Sequence, residues 1–243
     1  MPEAFFMPHL GLGDHIICNG ILRKLREDYD IVHMPVKRHN YQTVKDMVRD
    51  DAGIELIPVG DDNEAIRYLN IFKNHVDKVI GVGNYGSNFL QNSRSFDESF
   101  YNQVSLSYDT RWNSFEYLRD AEKENEVFLA ADLPKKYIFV HDDANRNYAI
   151  DDSKLSEEMY IFRPEHKFGE KTTTTVFHYG KIIENATEIH CIDSSFACYI
   201  EHLDCSNVDK MVIHRYIKQK NELNTDDKNH PFFPQYRQKW EII

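Results

Sequence analysis

The sequence predicts an α/β protein with two Rossmann-like domains that face a central cleft. Short apolar segments alternate with helix-length segments through both halves of the 243-residue chain, which is typical of parallel, doubly wound sheets. Predicted strands in both halves end in glycine-rich or polar turns. The hydrophobic content of 41% is sufficient to form a core in each half.

Composition and charge narrow the class of protein. With 29 basic and 40 acidic residues, the formal net charge is -11, and a nucleic-acid partner is not expected because such surfaces need clustered Lys and Arg. No apolar run approaches the roughly 20 residues that span a bilayer, and no charged-then-apolar leader opens the chain. The four cysteines form no C-x-x-C pair, which is typical of free thiols in a reducing compartment. We therefore predict a cytoplasmic protein without a transmembrane segment.

The N-terminal domain, residues 1–125, is predicted to begin with a strand, a tight glycine turn and a helix. An apolar run over residues 4–10 precedes the turn, and apolar residues then recur at the spacing of one buried helix face. Predicted strands over 31–36, 54–59 and 76–82 alternate with predicted helices over 41–49 and 64–72. This order predicts a parallel sheet.

The turn at Gly13, Asp14 and His15 is the first candidate site. Open α/β sheets bind ligands at such strand ends, where Gly13 would permit a close approach of the backbone and Asp14 is placed to act as a base. His15 is a second catalytic candidate because it lies in the same turn. The alternative for Asp14 is a helix cap, since Asp is among the preferred capping residues.

An aromatic and polar stretch follows between residues 83 and 125. Aromatic faces with polar rims suit sugar rings, so Tyr101, Arg111 and Trp112 are candidates for a sugar-binding surface. The alternative is that these side chains pack the edge of the domain, which is the more common role of aromatic residues.

The C-terminal domain, residues 126–228, repeats the alternation of strands and helices. Predicted strands cover 137–140, 159–162, 188–192 and 210–217, and predicted helices cover 176–185 and 196–203. The first of these strands ends in a polar loop at the position where open α/β sheets bind ligands. His141, Asp142 and Arg146 in this loop are therefore candidates for ligand binding.

A second polar turn, Asp193, Ser194 and Ser195, precedes the predicted helix at 196–203. Hydroxyl groups and free amides at a helix N-terminus form an anion site that would fit a diphosphate. Arg146 could bind the phosphate oxygens from the other side, because a guanidinium group binds them in bidentate fashion. An ordinary Asp or Ser cap is the alternative.

The C-terminal segment, residues 229–243, is predicted to cross back to the N-terminal domain. Phe233, Tyr236 and Trp240 have the i, i+3, i+7 spacing that would dock a short helix.

Together, these motifs resemble the heptosyltransferase-like glycosyltransferases, which are two-domain enzymes of the GT-B architecture. The resemblance is carried by the Gly-Leu-Gly-Asp turn at residues 11–14 with its helix, by the strand and loop up to Arg146, and by residues 187–203. Two positions depart from the family pattern, because Ser195 replaces a glycine and Cys198 replaces a histidine. The chain is short for the family, which fits a viral or accessory-type member, located in the host cytoplasm if viral.

The resemblance implies transfer of a hexosyl or deoxyhexosyl group from a nucleotide-diphosphate sugar to a glycan or other hydroxyl acceptor. It implies that Asp14 is the general base, that the sugar is transferred with inversion, and that no metal or other cofactor takes part. Acceptor binding is then expected on the N-terminal half, at Tyr101, Arg111 and Trp112. Donor binding is expected at Gly13, His141, Asp142, Arg146, Asp193, Ser194 and Ser195. The sugar, the nucleotide base, the acceptor and the oligomeric state remain open.

Two other function classes are compatible with the sequence. Residues 81–86 read G-x-G-x-x-G after a strand, which is the fingerprint of an NAD(P)-dependent oxidoreductase, although no strand-end acid follows about 20 residues on. A catalytically silent nucleotide- or sugar-binding module is the other class. A metal site at Asp142 and Asp143 is not expected, because hard cations need several converging oxygen ligands.

Overall fold

Two parallel β-sheets, one in each of two units, form the framework of the protein. The computed structural model describes residues 1–83, 92–164 and 174–243. Unit 1 comprises the described residues of Met1–Arg119 and Phe168–Thr175, and unit 2 those of Asp120–Lys167 and Val176–Ile243. The domain boundary predicted after residue 125 falls inside a helix, Ala121–Ala130, that groups with unit 2.

The sheet of unit 1 has the strand order β3-β2-β1-β4, with every neighbouring pair parallel. Its strands are β1 (Glu3–Met7), β2 (Ile31–Lys37), β3 (Ile54–Val59) and β4 (Lys78–Gly81). The helices of the unit are α1 (Leu12–Ile17), α2 (Asn19–Asp28), α3 (Tyr41–Met47), α4 (Asp62–Phe72), α5 (Phe96–Gln103) and α6 (Thr110–Asn113). The predicted alternation of strands and helices is therefore confirmed for this unit.

The burial of β1 agrees with its inner position in the sheet of unit 1. Ala4, Phe5 and Phe6 of β1 are fully buried, as expected for an inner strand covered on both faces. Helix α4 begins after Asp61, whose carboxylate accepts a hydrogen bond of 2.8 Å from the Glu64 amide. All strands run in the same direction, so the carboxyl ends of β1 and its neighbours meet at one edge of the sheet.

The sheet of unit 2 has the order β6-β5-β7-β8-β9, again entirely parallel. Its strands are β5 (Tyr137–His141), β6 (Tyr160–Phe162), β7 (Glu188–Cys191), β8 (Lys210–Ile213) and β9 (Glu241–Ile242). Its helices are α7 (Ala121–Ala130), α8 (Gly180–Glu184), α9 (Ser195–Ile200) and α10 (Tyr216–Lys218). All five residues of β5 are buried. The strand predicted over 210–217 is shorter than expected, because β8 ends at Ile213 and residues 216 and 217 belong to α10.

The C-terminal segment packs on unit 2. Strand β9 pairs with β8, and the Trp240 indole donates to Glu201 Oε1 at 2.8 Å. Its aromatic residues lie in turns and irregular backbone rather than in the predicted helix, and their side chains contact residues of unit 2. These contacts join the segment to unit 2, and its predicted crossing to the N-terminal domain stays a prediction.

The cysteines and the helices have features that the composition led us to expect. All four cysteines are buried and free. Within residues 1–83, 92–164 and 174–243, every helix is too short or too polar to cross a membrane.

Candidate functional site

Asp14 lies in the first turn of α1, at the carboxyl edge of the unit 1 sheet. The helix is capped by Gly11 without a side-chain hydrogen bond, so the capping alternative for Asp14 is not what the structure shows. The Asp14 carboxylate instead contacts the His9 ring, with Oδ2 2.6 Å from Nδ1. The Asp14 side chain is 16% exposed and the His9 side chain 47% exposed. A carboxylate and an imidazole thus form a pair that solvent can reach.

The structure explains why two glycines flank this pair. A Cβ atom on Gly11 would lie 2.5 Å from Asp14 Oδ2. Gly83 has a φ of +80°, and a Cβ atom there would lie 2.8 Å from the His9 Cβ atom. On another side, the His9 ring stacks on Phe100 with centroids 6.4 Å apart. Any larger residue at either glycine would displace one member of the pair.

Sequence reasoning missed His9, although one signal was present. His9 follows β1 by only two residues, and side chains at the carboxyl ends of parallel strands are the ones that face ligands. The hydrogen bond to Asp14 raises the pKa of His9 above its ordinary value, against an opposing effect of burial. The charges of Asp14 and Asp62 raise that pKa further, whereas Lys37 lowers it. His9 therefore binds a proton more readily than an ordinary histidine does.

His15 does not suit the catalytic role predicted for it. Its side chain is on the buried face of α1 with only 1% exposure, and neither ring nitrogen has a hydrogen-bond partner in the structure as described. Its pKa is lowered to about 3, mainly by burial and in smaller part by the positive charges of His9 and Lys37. The ring is therefore neutral and inaccessible, so we do not assign it to the chemistry.

The predicted acceptor residues have structural partners instead. Arg111 is fully buried and forms an ion pair with Asp97, which also accepts a hydrogen bond from Tyr108. Tyr101 is fully buried, and its hydroxyl donates to the Ile17 carbonyl at 2.6 Å. These two side chains therefore hold α5 and α6 against the first helices, which is the packing alternative.

Trp112 is the third predicted acceptor residue. Its ring is partly buried and lies under the Arg111 guanidinium, 4.7 Å from the ring centroid. Its position beside Arg111 makes it part of the same packed cluster.

In unit 2, the structure brings His141 and Ser194 together. His141 ends β5, and its Nδ1 atom lies 2.9 Å from Ser194 Oγ. Ser194 is the N-cap of α9 and accepts a hydrogen bond from the Ala197 amide at 3.4 Å. Ser195 follows at the first helical position and is partly exposed. Both polar turns predicted in this half therefore meet at the carboxyl edge of the sheet.

Asp142 and Asp193 are used within the fold. The buried Asp142 carboxylate accepts hydrogen bonds from the Ile150 amide at 2.9 Å and from Arg163 Nε at 3.4 Å. The buried Asp193 carboxylate is bound by Arg215 through two of its nitrogen atoms. Since both carboxylates are buried and already paired, the structure does not support donor-binding roles for them.

Arg146 remains accessible. Its side chain is 62% exposed and contacts Asp143, with Nε 2.6 Å from Oδ2. The guanidinium also lies over the Tyr148 ring at 5.2 Å from its centroid.

Gly13 lies in α1 beside Asp14, at the partly exposed start of that helix. Arg146 and Gly13 are therefore both accessible to a ligand.

Comparison with solved structures shows which known fold this protein shares. No protein-family model and no curated protein matches the sequence. The structure is similar to a glycosyl transferase family 9 protein from Veillonella parvula DSM 2008, with a TM-score of 0.55 and 12% identity, over 100% of this chain and 86% of that one. The fold is that of a heptosyltransferase-like glycosyltransferase.

The heptosyltransferase-like fold is supported by a second solved structure. ADP-heptose lps heptosyltransferase II of E. coli matches with a TM-score of 0.53 and 11% identity, over 99% of this chain and 90% of that one. The resemblance predicted from the sequence is therefore confirmed for the fold. The oxidoreductase fingerprint is described only in part, because Gly81 ends β4 and Gly83 follows it while residues 84–86 lie outside the described residues.

Proposed function

We propose that this protein is a glycosyltransferase that moves a hexosyl or deoxyhexosyl group from a nucleotide-diphosphate sugar to a glycan or other hydroxyl acceptor. The observation that carries the proposal is the Asp14 carboxylate, paired with His9 at the end of the first strand of a glycosyltransferase fold. The acceptor hydroxyl loses a proton during transfer, so a basic group is needed at this position. Inversion at the anomeric carbon follows if the acceptor attacks opposite the leaving group.

The leaving group needs a different environment. Negative charge grows on the diphosphate as the glycosidic bond breaks, and fixed hydrogen-bond donors and cations stabilise that charge. We assign this role to the Ser194 and Ser195 hydroxyls and to the Arg146 guanidinium in unit 2. Gly13 and His141 complete the proposed donor-binding residues, with His141 holding the Ser194 hydroxyl.

A ligand panel tests the class of function. Thermal stability is measured with ADP, GDP, UDP and CDP and their sugars, alongside NAD(H) and NADP(H), because a ligand that binds only the folded state raises stability with concentration. We expect stabilisation by one nucleoside diphosphate and its sugar. Stabilisation by the nicotinamide nucleotides alone would favour the oxidoreductase. Binding of a nucleotide sugar without release of its nucleoside diphosphate would favour the silent binding module.

Two variants test the residues. Asp14→Asn is expected to retain nucleotide affinity and to lose most of its transfer activity, and near-normal turnover would remove Asp14 from the chemistry. Arg146→Ala is expected to weaken nucleotide binding. Lys154→Ala, which also removes an exposed cation from unit 2, is the matched control and should leave the nucleotide dissociation constant unchanged.

A further inference from the structure

The pairing of His9 with Asp14 bears on which atom receives the proton of the acceptor. We propose that this atom is Nε2 of His9, and that Asp14 is the carboxylate that orients the ring and stabilises its charged form. This inference rests on the proposed function and replaces the predicted role of Asp14 as direct base with that of a positioning residue. His9 is then the catalytic residue in contact with the acceptor.

The hydrogen bond between the two side chains determines the state of the imidazole. An ionised carboxylate only accepts hydrogen bonds, so the 2.6 Å contact requires a proton on Nδ1 of His9. In the neutral ring, Nε2 then carries no proton and is the basic atom. The imidazole is also the more accessible partner, with 47% of its side chain exposed against 16% for Asp14. An acceptor hydroxyl at this edge therefore reaches the ring more readily than the carboxylate.

The surroundings hold the ring in one place. The Phe100 ring stacks on one side of it, and Gly83, with its left-handed φ and no side chain, leaves room on another. Gly11 leaves the corresponding room beside the Asp14 carboxylate. A base that is fixed before the substrate binds accelerates proton transfer, because no reorganisation is needed during the reaction.

The charged groups near His9 affect the protonation of its ring. Asp14 and Asp62 favour the protonated ring, whereas burial and Lys37 oppose it. Lys37 is itself paired with Asp62, with Nζ 3.2 Å from the carboxylate. His15, which lies under the turn, stays neutral because burial lowers its pKa to about 3. The net result is a His9 pKa above its ordinary value, so the ring accepts a proton more readily, which favours its use as a general base.

In the proposed step, each electron pair released by a breaking bond has a destination. The O–H bond of the acceptor breaks and its proton goes to Nε2 of His9, while its electron pair forms the new bond to the anomeric carbon. The bond from the anomeric carbon to the diphosphate breaks, and that electron pair leaves with the nucleoside diphosphate. His9 becomes an imidazolium stabilised by the Asp14 carboxylate. The exposed ring then returns its proton to water.

The first test is the pH dependence of kcat/KM. Nucleoside diphosphate release is followed with the donor found in the panel and with methyl glycosides of hexoses as acceptors. We expect the rate to fall on acidification around a pKa above 6.5, the ordinary histidine value. Asp14→Asn should move this limb to lower pH, since a neutral amide no longer favours the imidazolium. A wild-type rate that stays constant down to pH 5 would show that the carboxylate itself is the base.

Substitution of His9 tests the role of its basic nitrogen separately from the role of its hydrogen bond to Asp14. His9→Asn keeps a donor for Asp14 and removes the basic nitrogen, so kcat should fall by about 10² to 10⁴, the range of general base catalysis. His33→Asn is the matched control, because His33 also pairs with a carboxylate, Glu3, elsewhere in the same unit. The control should retain wild-type kcat. Retention of kcat in His9→Asn would overturn the proposal.

NMR titration of the histidine rings gives a readout that needs no substrate. The His9 resonances are expected to show the Nδ1-protonated tautomer and a pKa above 6.5 in the wild type, and a lower pKa in Asp14→Asn. An unchanged His9 pKa in that variant would overturn the pairing even if the protein transfers sugar. If the pair titrates as expected but no donor in the panel releases its nucleoside diphosphate, the proposed function fails and the catalytic role of His9 fails with it.

Discussion

Arg215 binds Asp193 in a buried ion pair, with Nη2 2.9 Å from Oδ1 and Nε 3.2 Å from Oδ2. The Tyr236 hydroxyl donates to the same carboxylate at 3.1 Å, and the Phe233 ring lies 4.5 Å from the guanidinium. Asp193 immediately precedes Ser194, so these contacts connect the C-terminal segment to the proposed donor-binding turn.

Replacement of Arg215 is expected to destabilise the protein strongly. Arg215→Met leaves the Asp193 carboxylate buried without its cation, which costs about 3–5 kcal/mol in free energy of unfolding. Urea denaturation measures this loss. Arg94→Met is the control, because Arg94 pairs with Glu98 at the surface and such a pair contributes at most about 1 kcal/mol. Similar losses in the two variants would contradict the structural role of Arg215.

The glycines beside the His9–Asp14 pair allow a test by added bulk. Gly83→Ala places a methyl group 2.8 Å from the His9 Cβ atom at a φ of +80°, so it should displace the ring and lower kcat. Gly81→Ala adds the same group two residues earlier, where the nearest atom is the Met7 carbonyl oxygen at 3.9 Å. We expect near-wild-type kcat in Gly81→Ala. Equal kcat in both variants would show that Gly83 does not position His9.

Tyr101 should affect stability rather than acceptor binding. Tyr101→Phe removes the hydroxyl that donates to the Ile17 carbonyl, with an expected loss of about 1 kcal/mol in free energy of unfolding. The KM for the acceptor should stay unchanged, because the side chain is fully buried. Calorimetry and acceptor kinetics on the same variant measure the two effects. A raised acceptor KM at unchanged stability would restore the original prediction for Tyr101.

The pH dependence of stability reports on the buried histidines of unit 2. The pKa of His214 is lowered to about 4, mainly by burial and in smaller part by the nearby His190 and Lys210. The unfolded chain, with an ordinary histidine pKa near 6.5, therefore binds more protons than the folded protein as the pH falls. The contribution of the neutral His214 to the free energy of unfolding is fully present above pH 6.5. It decreases by about 1.4 kcal/mol per pH unit as the pH falls from about 6.5 to about 4.

The His214→Gln variant identifies the source of that loss. Urea denaturation at pH 7 and pH 5 should show a smaller decrease in the variant than in the wild type, because one buried imidazole no longer resists protonation. His39→Gln replaces an exposed histidine and serves as the control. An equal decrease in wild type and His214→Gln would assign the pH dependence to other groups.

The strands were predictable because their signal is local. Residues 54–59 and 137–140 are apolar runs between turn residues, and the structure contains β3 and β5 at these positions. The C-terminal segment was harder to predict. The spacing of Phe233, Tyr236 and Trp240 suits a helix face, but each side chain contacts a residue of unit 2 and the backbone forms no helix there.

The sequence by itself determined the alternation of strands and helices, the parallel sheets and the polar turns at Asp14 and Ser194, because periodicity and turn chemistry depend on neighbouring residues. Only the tertiary structure decided which polar side chains are available for a ligand. It buried Arg111 against Asp97 and Asp193 against Arg215, and it left His9 exposed beside Asp14. The physical reason is that a charged group must find a partner when packing removes it from water, and the identity of that partner depends on which segments the fold brings together.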